Sequence, residues 1–330
     1  MRIGVIGVGR IGAMHAGGLA SHQQVDGVLL ADVDRSRAES VATDLGLEAT
    51  AVEEVFGKVD AVVIAAATSA HAELIGAAAE AGLPAFCEKP IAVDIGATRD
   101  VMQRVSRSGI ALQVGFQRRF DAGYRAARDL VTGGGMGALY AVRMAGHDPA
   151  PPPSEYIAVS GGIFRDFSIH DFDALRFVTG REVVEVYADG SVIGFPVFDA
   201  YGDVDTAVAT LRLEDGALGI LSVTRHDPLG YDVRMELFGS ADSVSVGWDP
   251  RMPLRSVEPG MPPAPVEPYR NFQQRFADAY RAEMGAFIDV VARRRENPCT
   301  PQDALEALRV AVACDLSRAE HRPVRLEEVA

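Results

Sequence analysis

The stretch Arg2-Ile3-Gly4-Val5-Ile6-Gly7-Val8-Gly9-Arg10-Ile11-Gly12 decides the fold of the first third of the chain. It begins as a short apolar, β-branched run, the pattern of a buried strand. Three glycines follow in the spacing G-x-G-x-x-G, and Ala13–Ala20 then reads as a helix. In this setting Gly7 permits a tight turn, Gly9 lets a pyrophosphate approach the backbone, and Gly12 lets helix and strand pack closely. Arg10, Ile11 and Gly12 lead into the helix, whose free N–H groups and positive dipole end suit phosphates. The chain has 33 glycines, so the spacing alone discriminates little. Weight comes from Val28-Leu29-Leu30-Ala31, a second apolar run that ends in Asp32, about twenty residues on, as a dinucleotide fingerprint requires. A carboxylate there bonds the adenosine ribose hydroxyls and repels a 2′-phosphate. NAD is therefore expected over NADP, with Arg35 close enough to soften the preference.

Outward from this stretch the pattern alternates. Helices are expected over Ser36–Leu45, His71–Ala81 and Asp94–Ser106, and strands over Val59–Ala66, Pro84–Cys87 and Ala111–Phe116. Such alternation gives a doubly wound parallel sheet, the Rossmann arrangement, whose ligands sit beyond the carboxyl ends of the strands. Gly7–Gly12, Asp32, Thr68 to His71, Glu88 with Lys89, and Gln117 with Arg118 all fall at those ends. Lys89 precedes Pro90, which biases it to an extended backbone. There it is either a solvated loop lysine or a donor to a substrate oxygen.

Beyond residue 120 the pattern changes. The expected division is a dinucleotide-binding domain over 1–120 and an α+β domain over 121–330. A helix is expected over Gly123–Thr132, a strand over Leu139–Ala145, and an extended loop around Pro149, Pro151, Pro152 and Pro153. Ile163–Val178 reads as an amphipathic helix stopped by Gly180. Within it Asp166 and His170 stand four residues apart, so both side chains leave one face. A carboxylate beside an imidazole is a way to hold and tune a base, although an isolated pair of this kind also occurs on ordinary surface helices. From Val183 onward, strands over Val183–Tyr187, Thr206–Leu213, Leu218–Arg225 and Val233–Gly239 follow without intervening helices, which implies an open, mainly antiparallel sheet. Its second face must be covered or become a subunit interface. Met252–Pro268 is a proline-rich loop, and helices are expected over Phe276–Arg293 and Pro301–Ser317.

Composition sets limits. Apolar residues make up 48% and charged residues 24%, ordinary for a globular protein. A net charge of -14 argues against nucleic acid as a partner. No apolar run is long enough to span a membrane, and the N-terminus enters a strand at once, as mature structure does. Cys87, Cys299 and Cys314 form no metal spacing or disulfide framework, so a reducing cytoplasm is expected.

With these residues placed, the chain resembles the glucose–fructose oxidoreductase/inositol dehydrogenase (Gfo/Idh/MocA) family, in particular its bacterial inositol 2-dehydrogenases. The motifs are Gly7–Gly12 with His15, Glu88-Lys89-Pro90, Gln113–Asp121, and Gly161–Asp166 with Ile169-His170-Asp171. Glu88-Lys89-Pro90 followed by the Asp166/His170 segment is the more specific part. The resemblance implies a Lys89, Asp166 and His170 catalytic group. It also implies substrate contacts from Gln117, Arg118, His147 and Tyr231 beside those three, with Gln117 at a position that varies between substrate types. His15 would stabilise the glycine loop, and His71 would either cap its helix or touch cofactor. No metal is expected: Asp171 and Asp173 could flank one, but hydride transfer needs none. The implied activity is NAD-dependent oxidation of a cyclitol alcohol by a homo-oligomer, a tetramer by resemblance. Other readings are a dehydrogenase of another sugar or amino-cyclitol, an NAD-dependent glycosidase, or a non-catalytic nucleotide sensor.

Overall fold

The computed structural model describes residues 1–261 and 263–329. The chain divides into two compact units, one of residues 1–117 with 278–305 and the other of 118–277 with 306–330.

In the first unit the alternation becomes β1 (Arg2–Ile6), α1 (Arg10–Ala20), β2 (Gly27–Ala31), α2 (Arg35–Leu45), β3 (Glu48–Ala49), α3 (Val52–Val55), β4 (Ala61–Ile64), α4 (Thr68–Glu80), β5 (Ala85–Glu88), α5 (Ile95–Ser108) and β6 (Leu112–Gly115). The strands form one parallel sheet in the order β3-β2-β1-β4-β5-β6. The order reverses beside β1, so the glycine loop lies at the switch point where such sheets bind ligands. β4, β5 and β6 are buried along their whole length and β1 from Ile3 onward, as strands covered on both faces are. Helix starts follow local chemistry. Asp34 and Asp94 accept from the N–H groups of Arg37 and Ala97. Met284, Phe287 and Ile288 join Ile3, Leu30 and Phe86 in the same core. A helix late in the chain thus completes the first unit, where the sequence placed a single boundary at residue 120.

The second unit begins at Arg118, within a 3-10 turn of Gln117–Phe120. It continues through α6 (Ala122–Thr132), β7 (Leu139–His147), α7 (Ser154–Ser160), a π turn at Phe164–Ser168, α8 (Ile169–Thr179), β8 (Val183–Ser191), β9 (Thr206–Leu213), β10 (Leu218–Thr224), β11 (Asp232–Gly239) and β12 (Ser243–Val246). After the short α9 (Phe272–Arg275) and α10 (Ala277–Val291), the chain ends in α11 (Pro301–Glu320) and β13 (Val324–Arg325). The sheet order is β12-β11-β7-β10-β9-β8-β13, antiparallel except for the β7–β10 pair. Register explains its two faces. Val186, Leu211, Gly219, Val142 and Leu237 form one row across the strands, all buried. The adjacent row, Tyr187, Thr210, Ile220, Arg143 and Glu236, points the other way, and Tyr187 and Ile220 are exposed. The expected open sheet is therefore present. The expected single helix over Ile163–Val178 is instead a π turn leading into α8. In the proline-rich loop 252–268, the described residues form no helix or strand, and Pro262 lies outside them.

Candidate active site

At the nucleotide end of the first unit, Gly7 has φ 87° and a Cβ there would sit 2.5 Å from backbone atoms of Ala66. A Cβ on Gly12 would collide with the Gly7 carbonyl oxygen. At Gly9 a Cβ would meet no atom within 4 Å, so the loop faces open space there. Gly9 is also the N-cap of α1 and offers no side chain to its first N–H groups. Two glycines thus make the turn, and the third leaves the room a pyrophosphate needs.

Asp32 is buried just past β2, where Oδ2 accepts from Val8 N at 2.8 Å and Oδ1 from Asp34 N at 2.9 Å. It therefore fixes the glycine loop. Its basic neighbour is Arg37, with Nη1 3.6 Å from Oδ1, whereas Arg35 turns to Glu39 at 2.9 Å. The sequence pointed to Arg35; helical geometry selects Arg37, two residues further round α2.

His71 lies in the first turn of α4, after Thr68, and is 1% exposed. Nδ1 is 2.8 Å from the Pro90 carbonyl and Nε2 3.0 Å from the Ala66 carbonyl. Burial pushes its pKa down, and a neutral ring donates through one nitrogen at a time. Both nitrogens face backbone, so the ring ties the turn after β4 to the one after β5. The sequence left His71 either to cap its helix or to touch cofactor; in the structure the ring braces the two loops. Glu88, also expected at cofactor, is drawn inward to His15, whose Nε2 is 2.7 Å from Glu88 Oε1. The His15 ring meets Phe86 and Tyr280 edge-on. Lys89 follows at the end of β5, half-buried.

In the second unit, Gly161 and Gly162, at φ 85° and 93°, turn the chain into the π turn that carries Asp166. π turns occur often at functional sites because they re-aim side chains within a helix. His170 follows in the first turn of α8, half-buried. Asp166 Oδ1 accepts from the Tyr156 hydroxyl at 2.7 Å and Oδ2 from Arg225 Nη2 at 3.0 Å. Arg225 also lies 3.4 Å from Asp148 and covers the Phe167 ring at 5.4 Å. Tyr156, Asp148 and Arg225 were not singled out in the sequence, where no spacing links them to Asp166.

The adjoining acids have other partners. Arg118 Nη1 is 2.5 Å from Asp171, and Arg119 grips Asp173 through Nε at 2.9 Å and Nη2 at 2.6 Å. A metal reading of Asp171 and Asp173 therefore meets two carboxylates already matched by guanidinium groups. Burial raises the Asp171 pKa and Arg118 pulls it back. Arg118 is itself 2% exposed, against Phe276, with Tyr124 and Tyr231 nearby. Burial pushes the Tyr124 hydroxyl up to about 12 and raises that of Tyr231 as well. The sequence expected Arg118 and Tyr231 to touch substrate; the structure places both in this buried cluster. His147 ends β7, where Nδ1 meets Thr224 Oγ1 at 2.8 Å and burial lowers its pKa. Gln117, at the end of the first unit, is buried with Oε1 unmatched by any hydrogen-bond partner.

A glycine loop at the sheet's switch point, with room at Gly9 for a pyrophosphate, is the arrangement of a dinucleotide-binding fold. Residues 1–116 match the family model for the oxidoreductase family with an NAD-binding Rossmann fold, and residues 124–245 match the GFO/IDH/MocA C-terminal domain. The chain belongs to the Gfo/Idh/MocA oxidoreductase family. It is 39% identical over 325 residues to the myo-inositol dehydrogenase Hyg17 of Streptomyces leeuwenhoekii, covering 96% of this chain and 97% of that one. It is 37% identical to the myo-inositol 2-dehydrogenase of Thermotoga maritima, over 100% and 99% of the two chains. The crystal structure of scyllo-inositol dehydrogenase from Lactobacillus casei, with bound NAD(H) and scyllo-inositol, superposes with a TM-score of 0.90 at 31% identity, over 99% of each chain.

Proposed function

We propose that this dehydrogenase oxidises a ring secondary alcohol of a cyclitol, with myo-inositol or scyllo-inositol as substrate and the 2-keto inosose as product. The observation that carries the reading is the buried Asp166 one turn from His170, in a chain whose relatives are named for inositol oxidation. NAD, when bound, supplies the hydride acceptor. Gly7, Gly9, Arg10, Ile11 and Gly12 would hold its phosphates, Asp32 its adenosine ribose, and Thr68, His71 and Glu88 would shape the loops beside it.

In this reading His170 removes the hydroxyl proton, since an imidazole titrates near working pH. Asp166 orients the ring and favours the imidazolium that forms. Lys89 donates to the substrate oxygen and stabilises its developing negative charge. Gln117 and His147 contact the polyol. Steady-state oxidation of myo- and scyllo-inositol with each cofactor tests this, with NAD expected to give the higher kcat/KM. A strong preference for NADP would overturn the role given to Asp32.

We place the enzyme in the cytoplasm as a homo-oligomer, a tetramer by family. No helix among the described residues is long and apolar enough to cross a membrane. The sheet face carrying Tyr187, Val208, Leu218 and Ile220, each at least 41% exposed, supports self-association. Light scattering should give a mass near four chains, and a monomeric mass would contradict it.

A further inference from the structure

Asp166 is bound at both oxygens by groups that belong to neither partner of the proposed proton transfer. The Tyr156 hydroxyl reaches Oδ1 from α7, and Arg225 reaches Oδ2 from the residue just past β10. Arg225 is 3% exposed, and its own backbone N–H donates to the Asp205 carbonyl at 2.7 Å. The main chain is thus pinned, and the guanidinium lies over the Phe167 ring, beside Asp148, and points one Nη at Asp166. A buried arginine costs several kcal/mol to desolvate unless it is matched in this way. Placing one beside a carboxylate needed only for fold would be a poor exchange for an apolar pair of the same volume.

We propose that Arg225 and Tyr156 are positioning residues for the dehydrogenation, gripping Asp166 from two sides so that its carboxylate stays ionised and aimed while His170 takes up the substrate proton. The proposal rests on the reading in which Asp166 and His170 belong to the catalytic group. Within this unit the charged and titratable groups around the grip are Tyr156 from α7, Asp148 after β7, His170 in α8 and Asp203 ahead of β9. Arg165, next to Asp166 in sequence, turns instead to Asp315 at 2.6 Å. Asp203 accepts from Ile163 N at 3.0 Å at the entry to the π turn. Arg225 is a cation in direct contact with Asp166, so Asp166 would register its removal.

Loss of a positive charge raises the proton affinity of a coupled acid–imidazole pair, whichever member holds the proton. In Arg225→Met, the acidic limb of the kcat–pH profile should therefore move up by about one to three pH units. The NAD dissociation constant should stay as in the parent. Arg225→Lys restores a charge and should return the limb most of the way. Tyr156→Phe removes one neutral donor from a half-exposed residue and should move the limb in the same direction by less. A limb at its parental pH in Arg225→Met overturns the grip, and if that variant does not fold, a parental limb in Tyr156→Phe overturns it. Asp166→Asn separates the two levels. If it keeps parental turnover, the catalytic reading of Asp166 fails. If it is inactive while the grip variants behave as the parent, only the grip fails.

Discussion

Replacing His170 by alanine is expected to lower turnover about 100- to 10,000-fold, the usual worth of a positioned general base. NAD affinity should be unchanged, because the glycine loop and Asp32 lie on other elements and make their own contacts. The size follows from what alanine leaves behind. Asp166 remains gripped by Arg225 and Tyr156, but nothing takes the hydroxyl proton as hydride leaves. Binding would persist while chemistry slows, so kcat falls with KM little altered. Single-turnover NADH formation and an NAD titration of the variant measure the two halves separately. Parental turnover in His170→Ala would remove this residue from the mechanism.

Replacing Arg118 by alanine should cost about 3–5 kcal/mol of stability, the penalty for removing one partner of a buried ion pair. Asp171, 1% exposed and near Tyr124 and Tyr231, would lose the guanidinium that offsets the cost of its burial. Its second oxygen already lacks a hydrogen-bond partner, so nothing nearby takes over from the guanidinium. Replacing both members, as in Arg118→Met with Asp171→Leu, should recover most of the loss, because the desolvation cost vanishes with the pair. Urea unfolding of the single and double variants gives the comparison. A stable Arg118→Ala with a raised KM for the polyol would return Arg118 to the substrate-binding role its motif implied.

Lys89 and Arg118 mark how far sequence reasoning reaches. Both were placed at strand ends by the same alternation, and the structure puts both there. What the pattern does not encode is whether a cation is matched internally. Arg118 and Arg119 meet Asp171 and Asp173 because a 3-10 turn and the start of α8 set two guanidinium groups against two carboxylates. The parallel sheet was legible because strands covered on both faces are continuous apolar runs. The antiparallel sheet was legible because its rows alternate between core and surface. The two-residue strands β3 and β13 escaped, since so short an edge has no period to read. The return of α10 to the first core escaped for another reason: an amphipathic face announces burial without saying against which sheet. The grip on Asp166 draws on three elements more than fifty residues apart in part, and only folding brings them together.

The central claim is that a ring carbon of a cyclitol gives its hydride to NAD on this protein. Incubating the enzyme with NAD and scyllo-inositol deuterated at every ring carbon, then weighing the reduced cofactor by mass spectrometry, tests it directly. NADH carrying one deuterium is expected, formed together with the ketone. Unlabelled NADH, or deuterated inositol consumed with no reduced cofactor, would contradict it.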